Sequence, residues 1–187
     1  VAKGDLGRIT RGAAAAMVGT LEVFRPDMAA LKDGTTRDGV VVPSLVRQIR
    51  QAVGVPHSKH VHFGATSQDV IDTAFVLRAR SCLDLLELRL AMVAARFADL
   101  AARFGKRSLT GRTRMQPAIP IRVADRIESW RAPILRHLER LGAIRETIGV
   151  IQFGGAAGTL DAFGDGGLVL REALATRLDL ADKPQWH

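Results

Sequence analysis

The sequence has no tyrosine, and aromatic residues make up only 5% of it, so stacking platforms for single-stranded nucleic acid are scarce. It has one cysteine, Cys82, which excludes an internal disulfide. Cys82 reads as an ordinary core residue, and such sparse cysteine fits a reducing cytoplasm, the expected location. No run reaches the roughly 18 unbroken apolar residues of a membrane span, and no signal peptide is visible, so no membrane partner is expected. Alternating strand patterns are also missing, apart from a weak one at 39–42. There is no internal repeat, and no low-complexity stretch beyond the alanines at 13–16.

What remains is helical. The chain has 187 residues, enough for a domain or a domain and a half, and 47% are hydrophobic, so a core can form. Net charge is +8, from 27 Lys and Arg against 19 Asp and Glu. The arginines are spread along helical patterns (Arg78, Arg80, Arg89, Arg96, Arg103, Arg126, Arg131, Arg136, Arg140) rather than bunched, so the charge suits a small polyanion and no nucleic-acid partner is expected. The chain opens on Val1 and stops at Trp186-His187 without a helix-ending signal, which reads as a fragment lacking both ends.

Residues 9–28 read as helix interrupted near Gly19, and 32–42 as a loop rich in Gly, Thr and Asp. Pro43 opens a short helix that Gly54 stops. An extended connector, 55–64, follows. From Thr66 to Phe104 no Pro or Gly intervenes, giving a helix of roughly 55 Å. Thr66 or Ser67 can cap it, with Asp69 in the place of the capping-box acid and Gly105 at its end. Its apolar residues cover more than one face, which marks a buried helix; a short chain cannot cover it, so self-association is expected. A loop at 109–120 precedes a second long helix, 121–153, containing Pro133. Gly154, Gly155 and Gly158 break the pattern, and a last helix covers 163–178. The fold class is all-α. The division expected is 1–63, part of an N-terminal helical domain, and 64–187, part of a central helical-bundle domain.

The stretch His62-Phe63-Gly64-Ala65-Thr66-Ser67-Gln68-Asp69 places a glycine turn, two hydroxyls and an amide at a helix N-terminus. Unpaired N–H groups and the helix dipole favour a carboxylate there. Thr113, Arg114, Met115 and Gln116 form a second polar loop of matching character ahead of the second long helix, with Arg112 beside it. Arginine offers carboxylates a bidentate fork. His57, His60 and His62 lack the Cys, Asp or Glu company of a zinc site, so no metal is assigned.

The pair Gly64-Ala65-Thr66-Ser67-Gln68-Asp69 and Gly111-Arg112-Thr113-Arg114-Met115-Gln116 resembles the first two signature regions of the fumarase/aspartase superfamily. Phe24-Arg25-Pro26-Asp27, Ile127-Glu128-Ser129-Trp130-Arg131 and Gln152-Phe153-Gly154-Gly155-Ala156-Ala157-Gly158-Thr159-Leu160 make the chain most similar to its lactonising cycloisomerase branch. The resemblance implies a long-helix bundle, a homotetramer whose sites are built from several subunits, and cofactor-free closure of a lactone from 3-carboxy-cis,cis-muconate, a tricarboxylate. It implies a catalytic set of Arg114, Thr113 and Ser67, and substrate binding by His62, Thr66, Ser67, Gln68, Arg112, Thr113, Gln116 and Thr159. Arg112 and Arg114 would clamp the developing enediolate, a preorganised-charge role. Where amine-eliminating members carry His, this chain has Arg114, and Arg37-Asp38 replaces their His-Asp pair. An arginine is a poor proton donor to a leaving amine, whereas a carboxylate leaving group needs none. The superfamily's third signature, a mobile loop with Ser and Lys, is not in this sequence and is expected beyond His187. A fumarate-releasing lyase and a non-catalytic helical scaffold remain the other readings.

Overall fold

A computed structural model describes residues 2–185; Val1, Trp186 and His187, at which the end-of-chain reading was made, lie outside the described residues. Seven α-helices are described: α1 (Ala2–Asp5), α2 (Arg11–Val23), α3 (Met28–Asp38), α4 (Val42–Val53), α5 (Ser67–Phe104), α6 (Val123–Ile148) and α7 (Gly167–Leu178). One antiparallel hairpin joins β1 (Ser108–Thr113) to β2 (Gln116–Arg122). The chain divides into two compact units, Val1–Leu77 with Gly149–His187, and Arg78–Ile148.

In the first unit, Thr10 caps α2 by accepting from the Ala13 N–H at 3.1 Å, and the helix runs through Gly19 without the expected interruption. The loop expected at 32–42 is instead mostly α3. Asp27 caps it by accepting from the N–H groups of Ala29 and Ala30, and Gly39 closes it in the left-handed region at φ 73°. Residues 39–42 form no strand: 39–41 are the short link between α3 and α4, and Val42 already belongs to α4. Buried Ser44 donates to the Ala30 carbonyl, and a Cβ at Gly34 would meet the Ser44 Cβ at 2.6 Å, so glycine permits α3 and α4 to touch. Within 55–64, expected to be extended, His57–His60 forms a 3-10 turn. The core joins Val76, Ile151, Phe153, Leu160, Phe163, Leu170 and Leu180. Burying such side chains stabilises a fold by about 1.5–3 kcal/mol each.

In the second unit, α5 from Arg78 onward pairs with α6. Arg145 reaches Asp84 and Glu87, Arg131 donates to the Ala94 carbonyl at 3.3 Å, and Phe97 packs on Trp130 at 6.1 Å between ring centroids. Positions rise in one helix as they fall in the other, so the pair is antiparallel. α6 starts two residues later than expected, ends at Ile148, and continues through Pro133. Its first turn is fixed by Asp125, whose carboxylate accepts from the Arg122 N–H at 2.9 Å and pairs with the Arg122 guanidinium. Cys82, expected in a core, is exposed on α5. Among the described residues no helix is long and apolar enough to cross a membrane.

Candidate functional site

The start of α5 is tied down by one buried carboxylate. Asp69 is 4% exposed. Its Oδ2 accepts from the Thr66 N–H at 2.8 Å, which is the capping box the sequence predicts. The same carboxylate accepts from the Gly154 N–H at 2.8 Å and the Gly155 N–H at 3.1 Å. Asp69 therefore fastens the 64–69 signature to the glycine-rich segment after α6. Two glycines make room for this. Gly64 (φ 69°) leaves space where a Cβ would strike the Phe163 ring, and a Cβ on Gly155 (φ 73°) would stand 3.0 Å from the Gly64 carbonyl oxygen.

Beside this anchor lies a cleft of about 530 Å³, into which Arg47 and Arg50 of α4, Ser58, His62 and Ser67 project. Arg47 and Arg50 are three residues apart and so share one helix face. Arg50 also donates to the Val61 carbonyl from Nε and Nη2, at 3.3 and 3.1 Å, which fixes the connector against α4. His62 sits at φ 60°, a left-handed conformation rare outside glycine and concentrated at functional sites. Burial, reinforced by the Arg50 and Lys3 charges and opposed by Asp69, holds its imidazole below the usual histidine range. At neutral pH His62 is therefore an uncharged donor and acceptor in a cationic cleft.

The other predicted residues fall elsewhere. Thr66 is half-buried at the cap. Gln68 is exposed and donates along the helix to Asp72 at 2.5 Å, rather than lining the cleft. Thr159 is exposed, between Gly158 at φ 77° and Leu160 at φ 57°. Arg112, Thr113, Arg114 and Gln116 belong to the second unit. The loop expected at 109–120 is a hairpin, and its polar residues lie at a hairpin tip instead of a helix start, so the helix-dipole argument does not apply to them. Thr113 pairs with Gln116 across a two-residue turn, Arg114 (φ 43°) and Met115 (φ 69°). Positive φ at both positions is the type I′ turn, which twists as the strands do. The Arg112 guanidinium donates to the Met115 carbonyl at 3.1 Å and closes the tip. Gly111 forms a bulge, and a Cβ there would lie 2.8 Å from the Ile119 carbonyl oxygen.

Sequence reasoning missed Arg47 and Arg50. Their signal was present: two arginines at i,i+3 on a short helix opened by proline. It also saw Asp69 only as a cap, because its bonds to Gly154 and Gly155 cross 85 and 86 residues. Among the described residues, no three His, Cys, Asp or Glu side chains are grouped to hold a metal ion.

A model of the Lyase family matches residues 6–185. The 3-carboxy-cis,cis-muconate cycloisomerase of Bradyrhizobium diazoefficiens is 38% identical over 165 residues, covering 86% of this chain and 37% of that protein. Trans-aconitate decarboxylase 1 of Mycosarcoma maydis is 32% identical over 188 residues, covering 100% of this chain and 38% of that protein. The crystal structure of beta-carboxy-cis,cis-muconate cycloisomerase from Acinetobacter calcoaceticus superposes with a TM-score of 0.94 at 30% identity, covering 100% of this chain and 44% of that one. The chain thus spans less than half the length of these relatives.

Proposed function

Because the chain belongs to the Lyase family, we propose that it carries part of a lactonising cycloisomerase that acts on 3-carboxy-cis,cis-muconate. The observation that carries this reading is the convergence of Arg47, Arg50, His62 and Ser67 on one cleft at the start of α5. Two guanidiniums, that of Arg50 held by the Val61 carbonyl, suit a substrate with several carboxylates. The two curated relatives are named for muconate and aconitate, both unsaturated polycarboxylic acids.

In the reaction, one substrate carboxylate oxygen forms a C–O bond to the diene. The broken π bond's electrons move onto a conjugated carboxyl group as an enediolate. A proton, drawn ultimately from solvent, then adds to the carbon alpha to that group, so the ionised substrate takes up one proton and, counted as free acids, substrate and product are isomers. Arg47 and Arg50 hold carboxylates, Ser67 donates from the helix start, and uncharged His62 orients a carboxylate without competing as an acid. Thr66, Gln68 and Thr159 are further polar groups on the same unit. Arg112, Thr113, Arg114 and Gln116 are proposed donors for a site completed by neighbouring copies in a homotetramer, with Arg114 stabilising the enediolate. The 63/64 boundary between an N-terminal helical domain and the bundle is part of this reading, as are a cytoplasmic location and catalysis without a cofactor.

The test is an ultraviolet assay with 3-carboxy-cis,cis-muconate, run on the chain and on a polypeptide extending it to its relatives' length. Loss of diene absorbance with lactone formation is expected from the extended polypeptide. Fumarate released from a succinyl adduct, with the muconate untouched, would replace this reading with the amine-eliminating lyase.

A further inference from the structure

A second cleft, of about 360 Å³, is lined by Lys3, Arg8, Lys59 and His60 together with Ile9, Ala162 and the rings of Phe63 and Phe163. The segment before α5 serves both clefts: Ser58 and His62 line the first, while Lys59, His60 and Phe63 line the second. Among the described residues, no acidic side chain lines the second cleft. Two of its cations are held in place. The Lys3 ammonium donates to the Phe63 carbonyl at 2.5 Å and stands 5.5 and 5.2 Å from the centroids of Phe63 and Phe163. The Arg8 guanidinium lies against Gly166, where a Cβ would collide with it. The two rings meet edge to face, 5.8 Å between centroids and 83° between planes.

We propose that this cleft binds a small aromatic carboxylate, its ring against Phe63 and Phe163 and its carboxylate between Lys3, Arg8 and Lys59. The wall chemistry selects both halves of such a ligand. Aromatic pairs in edge-to-face or offset geometry gain attraction beyond area burial. Unopposed cations around a confined space recruit an anion. Burial pushes Lys3 down to about 8, the signature of an ammonium losing water without gaining a carboxylate, and a bound anion supplies that missing partner. The volume matches a single-ring ligand, at the lower end of small-molecule pockets.

The test is calorimetric titration of the chain with isophthalate and with its saturated cyclohexane counterpart. It is repeated on Arg8→Gln/Lys59→Gln and on Arg47→Gln. Arg8 and Lys59 are exposed, so their replacement leaves the core untouched. Isophthalate is expected to bind the unaltered chain and the Arg47 variant alike, to bind the Arg8/Lys59 variant about tenfold more weakly, and to outbind the saturated diacid. Shifts of the Phe63 and Phe163 ring proton resonances on titration are expected from the unaltered chain, with no variant needed. No binding, or binding lost in the Arg47 variant and kept in the Arg8/Lys59 variant, overturns the proposal. Equal affinity for the two diacids overturns its aromatic part. The readout is binding rather than turnover, so it stands or falls apart from the cycloisomerase reading.

Discussion

At the scale of single residues, Asp69 and Lys3 are opposite cases of a charge removed from water. The Asp69 carboxylate is nearly inaccessible, but three backbone N–H groups replace its hydration, and bonds to a charged acceptor are the strong kind. Asp69→Asn turns an amide donor toward N–H donors, and is expected to cost about 2–3 kcal/mol in urea unfolding. Faster hydrogen exchange at Gly154 and Gly155 is expected with it; unchanged exchange would mean the clamp does not hold that segment. Lys3 gains one carbonyl bond and two ring contacts, which do not offset its burial, and burial brings it from 10.5 to about 8. Between those values the unfolded chain binds more protons, so this group makes stability rise with pH across the window. Its full penalty applies below about pH 8 and vanishes above the unfolded value. Lys3→Met is therefore expected to be more stable than the unaltered chain at pH 7, with the advantage shrinking toward pH 10.5. Urea midpoints at several pH values measure it, and a constant difference would contradict it.

At the scale of elements, local signals were legible where a proline, a glycine or an uninterrupted run marked a boundary. α4 begins with Pro43 near its start and stops at Gly54, and α5 begins at its capping box and ends at Gly105. α3 was hidden because Gly34, Thr35 and Thr36 look like loop residues. In the structure both threonine hydroxyls bond back to carbonyls four residues earlier, and the Asp27 cap and the Gly39 terminator decide the matter. The hairpin was hidden for a different reason. Type I′ turns favour Asn-Gly, and Arg114-Met115 is a poor local match, so 108–122 offered neither a strand pattern nor turn chemistry to announce the hairpin. Replacing Arg114-Met115 by Asn-Gly is accordingly expected to stabilise the hairpin by roughly 0.5–1 kcal/mol, read from the thermal midpoint. If Arg114 clamps the enediolate, the same change lowers kcat/KM in the extended enzyme by about 100-fold or more. Higher stability with unchanged kinetics would remove Arg114 from the mechanism and leave its strain unexplained.

At the scale of the whole molecule, the feature that a single chain does not satisfy is α5. Its apolar residues were read as a buried surface, yet Leu88 is 59% and Met92 57% exposed in the isolated chain. The exposure is ordered. Leu86, Val93 and Leu100 follow one another at intervals of seven, as do Leu85 and Met92. A seven-residue repeat keeps one seam facing a partner helix along its length, and contiguous exposed apolar surface of this kind marks an interface. The hairpin residues Arg112, Thr113, Arg114 and Gln116 are also exposed. Both observations fit the homotetramer proposed above, in which α5 seams from several copies would close into a bundle and the hairpin tips would complete neighbouring sites. The sequence made the seam legible through its periodicity. It could not say what covers the seam, because a run of apolar residues on one helix does not name its partner. Sedimentation is expected to give a homotetramer for the extended polypeptide. Leu86→Lys, which buries an unpaired ammonium in the seam at a cost of several kcal/mol per copy, is expected to give smaller species with the helical circular dichroism retained. A mutant of unchanged mass would place Leu86 outside the interface, and the hairpin residues would then need a site within one chain.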